Sequence, residues 1–222
     1  MLRNKKPLFR KHVIFWDWNG TILNDAQICI NAMNALRKRY DYTPIDKETY
    51  EDTFDFPVEK YYREIGWDFE KHPFRDIGLE FMNYYQSDIP RADIQKGVKA
   101  IIENIRAQQK QQFLISAMEN SLLYRLVQHF GMHHLFDEVK GIEDHYGKSK
   151  EHLFQQLITS HKLNTKNIVM IGDTLHDAEI AQKLHIDCLL FYSGHQSETR
   201  LKKAGCPVFY SYHQLAEMLS VE

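Results

Sequence analysis

Cysteine is scarce in this chain of 222 residues: Cys29, Cys188 and Cys206 are odd in number and far apart. They supply neither a disulfide framework nor a paired-cysteine metal site, and are expected as buried, reduced thiols. No apolar run approaches the roughly 18 to 20 residues that a membrane span requires. The opening stretch, MLRNKKPLFRKH, is basic but lacks the apolar segment of a secretory signal, so a cytoplasmic protein with no membrane partner is expected. Nor is there an excess of one charge. With 28 basic against 30 acidic residues, nothing drives the chain as a whole toward nucleic acid, and no nucleic-acid partner is expected. Internal repeats, low-complexity tracts and long flexible linkers are also missing. What is present, 43% apolar and 26% charged residues, suffices for a packed core of one domain with a sizeable insertion, or of two small domains.

Short apolar runs rich in β-branched residues alternate with helical patterns: HVIFWD at 12–17, QQFLIS at 111–116, EVKGI at 138–142, NIVMIGD at 167–173, DCLLFY at 187–192 and PVFY at 207–210. This rhythm predicts an α/β fold, a parallel sheet with helices on both faces, whose strands deliver their following loops to one edge. Residues 25–92 break the rhythm. They contain helical patterns such as AQICINAMNALRKRY and EKYYREIGW but no convincing buried strand. A helical insertion after the first strand is expected, with Ile28, Ala32, Ala35 and Leu36 on a packed face. Pro44, Pro57, Pro73 and Pro90 punctuate it, and Pro90 with Gly97 brackets the return to the sheet.

The chemistry concentrates where strands end. The first strand runs into Asp17-Trp18-Asn19-Gly20-Thr21 and the fourth into Gly172-Asp173-Thr174-Leu175-His176-Asp177. If those strands are neighbours, Asp17, Asp173 and Asp177 converge and repel one another unless a cation lies between them. Hard oxygen ligands favour Mg²⁺ over zinc. Helix capping accounts for one aspartate per loop but not readily for three. Ser116, at the end of the second strand, can hold an anionic oxygen with its hydroxyl, or simply cap a helix. Lys148 stands in a polar loop, where a lysine is ordinarily a solvated charge. Gly141 to Ser149 imitates a phosphate-binding P-loop but has one residue too many between its glycines. His129, His133 and His134 cluster around Gly131, which is expected to end a helix rather than align zinc ligands.

In order, Asp17-Trp18-Asn19-Gly20-Thr21, Ser116, Lys148 and Gly172-Asp173-Thr174-x-x-Asp177 resemble the four motifs of the haloacid dehalogenase superfamily. The placing of the insertion, and FDFPVEKYYREIG within it, resemble the phosphoglycolate-phosphatase-like branch with a C1 cap. The resemblance implies a Rossmann-like core of residues 1–24 and 93–222 with a helical cap of residues 25–92. It also implies a Mg²⁺-dependent phosphatase acting on a small phosphorylated metabolite. Asp17 would be the nucleophile, and Asp17, the main-chain carbonyl of Asn19, Asp173 and Asp177 would serve the metal. Gly20, Thr21, Ser116, Ala117 and Lys148 would bind the phosphoryl group, with Lys148 also keeping Asp17 ionised. Phosphoglycolate is one substrate that the branch suggests. Tyr61, Tyr62, Arg63 and Trp67 are available to face the substrate.

One residue departs from the pattern. The family normally has a second aspartate where this chain has Asn19, and an amide cannot shuttle protons to a leaving alcohol. Positioned acid–base catalysis is worth about 10² to 10⁴ in rate. The expectation is a weakened phosphatase, with His176 as a candidate substitute and Asn19→Asp raising turnover. A binding or regulatory protein for phosphorylated ligands is the alternative. A further alternative, phosphonate C–P cleavage, would need a cap lysine, for which Lys47 and Lys60 are available. The oligomeric state is not legible.

Overall fold

A computed structural model describes residues 11–143 and 150–219. Its elements run β1 (Val13–Trp16), β2 (Leu23–Asn24), α1 (Ala26–Arg39), α2 (Lys47–Thr53), α3 (Val58–Glu64), α4 (Phe74–Asp88), β3 (Asp93–Ile94), α5 (Val98–Ala107) and β4 (Gln111–Glu119), followed by α6 (Asn120–His129), β5 (Glu138–Ile142), α7 (Glu151–Ser160), β6 (Ile168–Gly172), α8 (Leu175–Lys183), β7 (Asp187–Phe191), α9 (Glu198–Leu201), β8 (Val208–Phe209) and α10 (Tyr212–Leu219). Six strands form one parallel sheet in the order β5-β4-β1-β6-β7-β8.

All six apolar runs become strands, and their residues show why. In β1 all four side chains are buried, and alternate positions point to opposite faces. Ile14 and Trp16 enter the core on one face with Leu114, Val169, Ile171 and Leu189. Val13 and Phe15 enter the other with Phe113, Ile115, Ile168 and Met170. Helices α5, α6 and α10 cover the first face, and α7 and α8 the second. A strand buried on both sides reads as a continuous apolar run, the pattern of HVIFWD. The one polar side chain among these central positions, Gln112, is fully buried and satisfied: it accepts from Trp16 Nε1 at 3.0 Å and donates to the Ile102 carbonyl at 2.9 Å.

Residues 26–88 are helical as expected and carry their own apolar cluster, with Ile30, Met33, Leu36, Tyr50, Tyr62 and Trp67 at its centre. Helix α1 serves two cores: Ile30, Met33 and Leu36 face this cluster, while Ala32 and Ile28 pack toward the sheet. The sequence pattern did not announce the two-residue antiparallel ribbon β2·β3, which ties the chain's exit from the sheet to its return. Two residues per strand are too short for any periodicity to show. Gly97 is the N-cap of α5, at φ +86°. Gly131 ends α6 at φ +63°, and among the described residues His129, His133 and His134 form no metal-binding group. Cys188 is buried and Cys29 and Cys206 partly so, and none of the three is in a disulfide. No described helix is long and apolar enough to cross a membrane.

Phe154 is fully buried and meets Phe15 edge-on at 5.3 Å, pinning α7 to the sheet beside the loop that leads to the site. Phe154→Ala is expected to lower stability by about 3 to 5 kcal/mol in urea denaturation. A loss under about 1 kcal/mol would contradict this packing.

Candidate active site

The strand register assembles the site. Trp16 of β1 lies level with Leu114 of β4 and Ile171 of β6, so the residues just beyond, Asp17, Ser116 and Asp173, emerge side by side at the carboxyl edge. This is where open α/β sheets hold their ligands. Ser116 does not end its strand: β4 continues to Glu119, with a register shift against β5 after Ile115. The hydroxyl of Ser116 accepts from the Met118 N–H at 3.0 Å and donates to Asn19 Oδ1 at 3.2 Å.

Asp17, Asp173 and Asp177 converge as expected. Each can offer an oxygen lying within 4.8 Å of those from the others, and all three are buried. Asp177 is also a helix cap: its Oδ2 accepts from the Thr174 N–H at 3.0 Å and the Thr174 hydroxyl at 2.7 Å at the start of α8. Capping and convergence therefore coexist in one residue. Gly172 must be glycine, since a Cβ there would collide with the Asp177 carboxylate. Gly20, at φ +69°, likewise leaves room for the Asp173 carboxylate.

Lys148 lies outside the described residues. Among the described residues, the lysine that reaches the cluster is Lys150, buried, with its Nζ bonded to Asp17 Oδ1 and 2.8 Å from Asp177 Oδ1. The sequence GKSK offers two lysines two residues apart, and nothing in the local pattern chooses between them.

A second buried group adjoins the first, and the sequence reading did not contain it. Asp25, with no exposed surface, accepts from Asn19 Nδ2 at 2.7 Å, the Gly20 N–H at 2.8 Å and the Tyr85 hydroxyl at 2.7 Å. His195 Nε2 stands 3.3 Å from Asp25 Oδ1, while its Nδ1 pairs with the Tyr50 hydroxyl at 2.8 Å and its N–H donates to Asp173 Oδ2 at 2.7 Å. A usable signal for His195 was there: it follows β7, another strand whose carboxyl end opens on this edge. Gln95 closes the arrangement, donating to the Gly20 carbonyl at 3.0 Å. Asn19 is thus clamped between Asp25 and Ser116, so an Asn19→Asp carboxylate would face the Asp25 carboxylate.

Burial sets the electrostatics. It pushes the Asp17 carboxyl up to about 6, with Lys150 opposing and Asp177 adding to the rise. It pushes Asp173 up to about 8, with His195 opposing and the Asp17 and Asp177 charges contributing. Burial works against a charged His195, yet Asp25 overrides it and the ring is raised to about 9. Asp25, despite burial, is held below the usual carboxylate value by His195 and its other donors. Four buried carboxylates therefore face two buried cations, Lys150 and His195, among the described residues. The excess of negative charge and the all-oxygen donor set of Asp17, Asp173 and Asp177 fit a divalent cation.

A cavity of about 180 Å³ opens above this floor, lined by Asp17, Asn19, Ser116, Ala117, Lys150 and Asp173 at its base. Gly20 and Thr21, expected at the phosphoryl group, are not among its lining residues: the Thr21 hydroxyl donates to Asp173 Oδ1 at 3.0 Å instead. Tyr61 and Tyr62 do line it. Arg63 pairs with Glu59 on the surface, and Trp67 packs within the helical layer against Tyr42. His176 stacks on Phe56 outside the lining, and Lys47 and Lys60 pair with Glu51 and Asp55 away from it.

Comparison with known proteins agrees with this geometry. A search of curated protein sequences found no match. Among solved structures, the chain resembles a haloacid dehalogenase-like hydrolase from Streptococcus pneumoniae with a TM-score of 0.81 at 18% identity, covering 94% of this chain and 98% of that one. It resembles a predicted phosphatase from Clostridium acetobutylicum (0.78, 18%, 93% and 97%) and a predicted phosphoglycolate phosphatase from Haemophilus somnus (0.76, 16%, 95% and 99%). At these identities the structures establish a shared fold. The sequence profile for haloacid dehalogenase-like hydrolases matches residues 13–191, from the first core strand through β7, and the chain belongs to that family.

Proposed function

We propose that the chain is a Mg²⁺-dependent phosphomonoester hydrolase working through an aspartyl-phosphate on Asp17. The observation that carries this reading is the buried Asp17 carboxylate, bonded to Lys150 and grouped with Asp173 and Asp177 at the floor of a cavity. Structural neighbours described as phosphatases support it. The helices of residues 25–92 act as the cap over a core of residues 1–24 and 93–222, and a small phosphorylated molecule is the partner.

Asp17, the main-chain carbonyl of Asn19 and Asp173 would hold Mg²⁺, with Asp177 in support. When bound, the ion offsets the repulsion between a carboxylate nucleophile and a phosphoryl dianion. Asp17 attacks phosphorus, the bond to the leaving oxygen breaks, and water then hydrolyses the acyl phosphate, dividing one hard displacement into two. Lys150 favours the ionised nucleophile and faces the phosphoryl oxygens, which Ser116 and the backbone at Ala117 also receive. Asn19 donates to Asp25 through its amide and has no proton to give the leaving group. Turnover is therefore slower than a two-aspartate site would allow, by about 10² to 10⁴ for alkoxide leaving groups.

Three outcomes follow. Asp17→Asn is expected to abolish phosphate release in a Mg²⁺-containing malachite-green assay while the fold, checked by circular dichroism, is kept. Undiminished activity would reject the nucleophile.

Asp17, Asp173 and His195 all bind protons more tightly in the folded state than their ordinary values of 3.8, 3.8 and 6.5. The contribution of these groups to stability is complete below the ordinary values. It is lost as pH rises through about 6 for Asp17, about 8 for Asp173 and about 9 for His195. Metal-free protein should therefore melt at lower temperature at about pH 8 than at about pH 5.5, and Mg²⁺ should raise the melting temperature more at the higher pH. An equal or smaller shift at the higher pH would contradict the charge balance.

The Asn19 clamp reverses the simple expectation for Asn19→Asp. Alone, that substitution sets two carboxylates against each other and should lower the melting temperature without raising turnover. Combined with Asp25→Asn, which returns the amide to the pair, it should recover stability and exceed the single variant in turnover by about tenfold or more. A single Asn19→Asp variant faster than wild type would show that Asp25 does not constrain position 19.

A further inference from the structure

The wall facing the carboxylates says what the substrate carries. Phe54, Phe56, Val58, Phe74, Phe81 and Met82 line the cavity opposite its charged floor. Among the described residues, no lysine, arginine or histidine from residues 26–88 lines it. Several cations of that layer are engaged elsewhere: Arg37 donates to the Ile65 carbonyl at 2.8 Å, Lys60 to Asp55 at 2.9 Å and Arg63 to Glu59 at 2.8 Å. On the floor, Lys150 is shared between Asp17 and Asp177, and His195 between Asp25 and Tyr50. At the rim, Glu119 adds another negative charge, its carboxylate accepting from the N–H groups of Ser121 and Leu122. A second carboxylate or phosphate on the leaving group would leave water for an apolar wall that offers no counter-charge among the described residues.

The lining suits a ring: the apolar side of the cavity presents aromatic edges and faces to pack against. Tyr61 lines the cavity, and its hydroxyl is buried with no hydrogen-bond partner among the described residues. Asn19 points the same way. With no proton to deliver at that position, the leaving oxygen departs carrying the electron pair of the broken P–O bond, and a phenolate bears that charge better than an alkoxide.

Resting on the phosphatase reading, we propose that the substrate is the phosphate monoester of an uncharged aromatic alcohol, best a phenol, and not an acid-bearing metabolite such as phosphoglycolate. In the balanced reaction Asp17 displaces the aryl oxygen from phosphorus, and the aryloxide takes its proton from solvent. Water then cleaves the acyl phosphate to inorganic phosphate and free Asp17.

The test is the specificity of the full chain with Mg²⁺ toward phenyl phosphate, benzyl phosphate and phosphoglycolate. Benzyl phosphate separates recognition from leaving-group chemistry, because its oxygen leaves as an alkoxide, as that of phosphoglycolate does. The expected result is a KM for both ring-bearing esters at least about tenfold below that for phosphoglycolate, with kcat for phenyl phosphate above that for benzyl phosphate. Phe56→Ala and Phe81→Ala, at half-buried positions, should each raise the KM for benzyl phosphate several-fold and leave that for phosphoglycolate unchanged. If phosphoglycolate is bound as well as benzyl phosphate, or neither variant moves the KM of the ring-bearing esters, the aromatic class is rejected and the phosphatase reading stands. If no ester releases phosphate, both fall.

Discussion

Negative charge that the described residues do not fully neutralise governs this site. Asp17, Asp25, Asp173 and Asp177 are almost wholly removed from water where β1 and β6 end. A buried carboxylate without a partner costs several kcal/mol, so each must be hydrogen-bonded, paired with a cation or protonated. The structure uses all three. Asp25 takes three hydrogen bonds and His195, Asp177 takes the start of α8 and Lys150, and Asp17 and Asp173 are left with raised proton affinity. A divalent ion held by Asp17, Asp173 and Asp177 would meet that residual demand for positive charge.

The rest of the fold makes the crowding tolerable. A sheet buried on both faces fixes the heights of Asp17 and Asp173 through backbone pairing, without relying on the side chains that repel. Glycines at 20 and 172 let backbone pass where a methyl group would strike a carboxylate. The helical layer is bound to the same edge through polar contacts: Tyr50 to His195, and the Phe54 carbonyl to Gln196 at 2.8 Å. The amide at position 19 is part of this balance. Placed between Asp25 and Ser116, it links two groups that a carboxylate at 19 would force apart or compel to share a proton. The amide at 19 is thus matched by a buried carboxylate six residues later.

The strands were legible because a buried parallel strand writes itself locally, as four or more consecutive apolar residues. Asp17 and Asp173 were legible because acidic residues directly after such runs have one edge to occupy, and Asp177 because it stands in the same loop-to-helix stretch as Asp173. The other partners were hidden for identifiable reasons. Lys150 reaches Asp17 and Asp177 from just before α7, and the local sequence GKSK does not distinguish it from Lys148. Asp25 gains its role from Asn19 and Tyr85, and Tyr85 is 60 residues away in α4. His195 follows β7, and its pairing with Asp25 and Tyr50 exists only once the helical layer has docked. The roles assigned to Gly20 and Thr21 assumed that a motif's residues all face the ligand, whereas Thr21 turns toward Asp173 and Gly20 serves Asp25 through its N–H.

The most direct measurement is a crystal structure grown with Mg²⁺ and beryllium fluoride, a stand-in for a phosphoryl group that attaches to a carboxylate nucleophile. The account requires the fluoride to be joined to Asp17, with Lys150 and Ser116 around it and the ion touching Asp17 and Asp173. Fluoride bound elsewhere, or an ion held by other residues while Asp17 stays free, would contradict it.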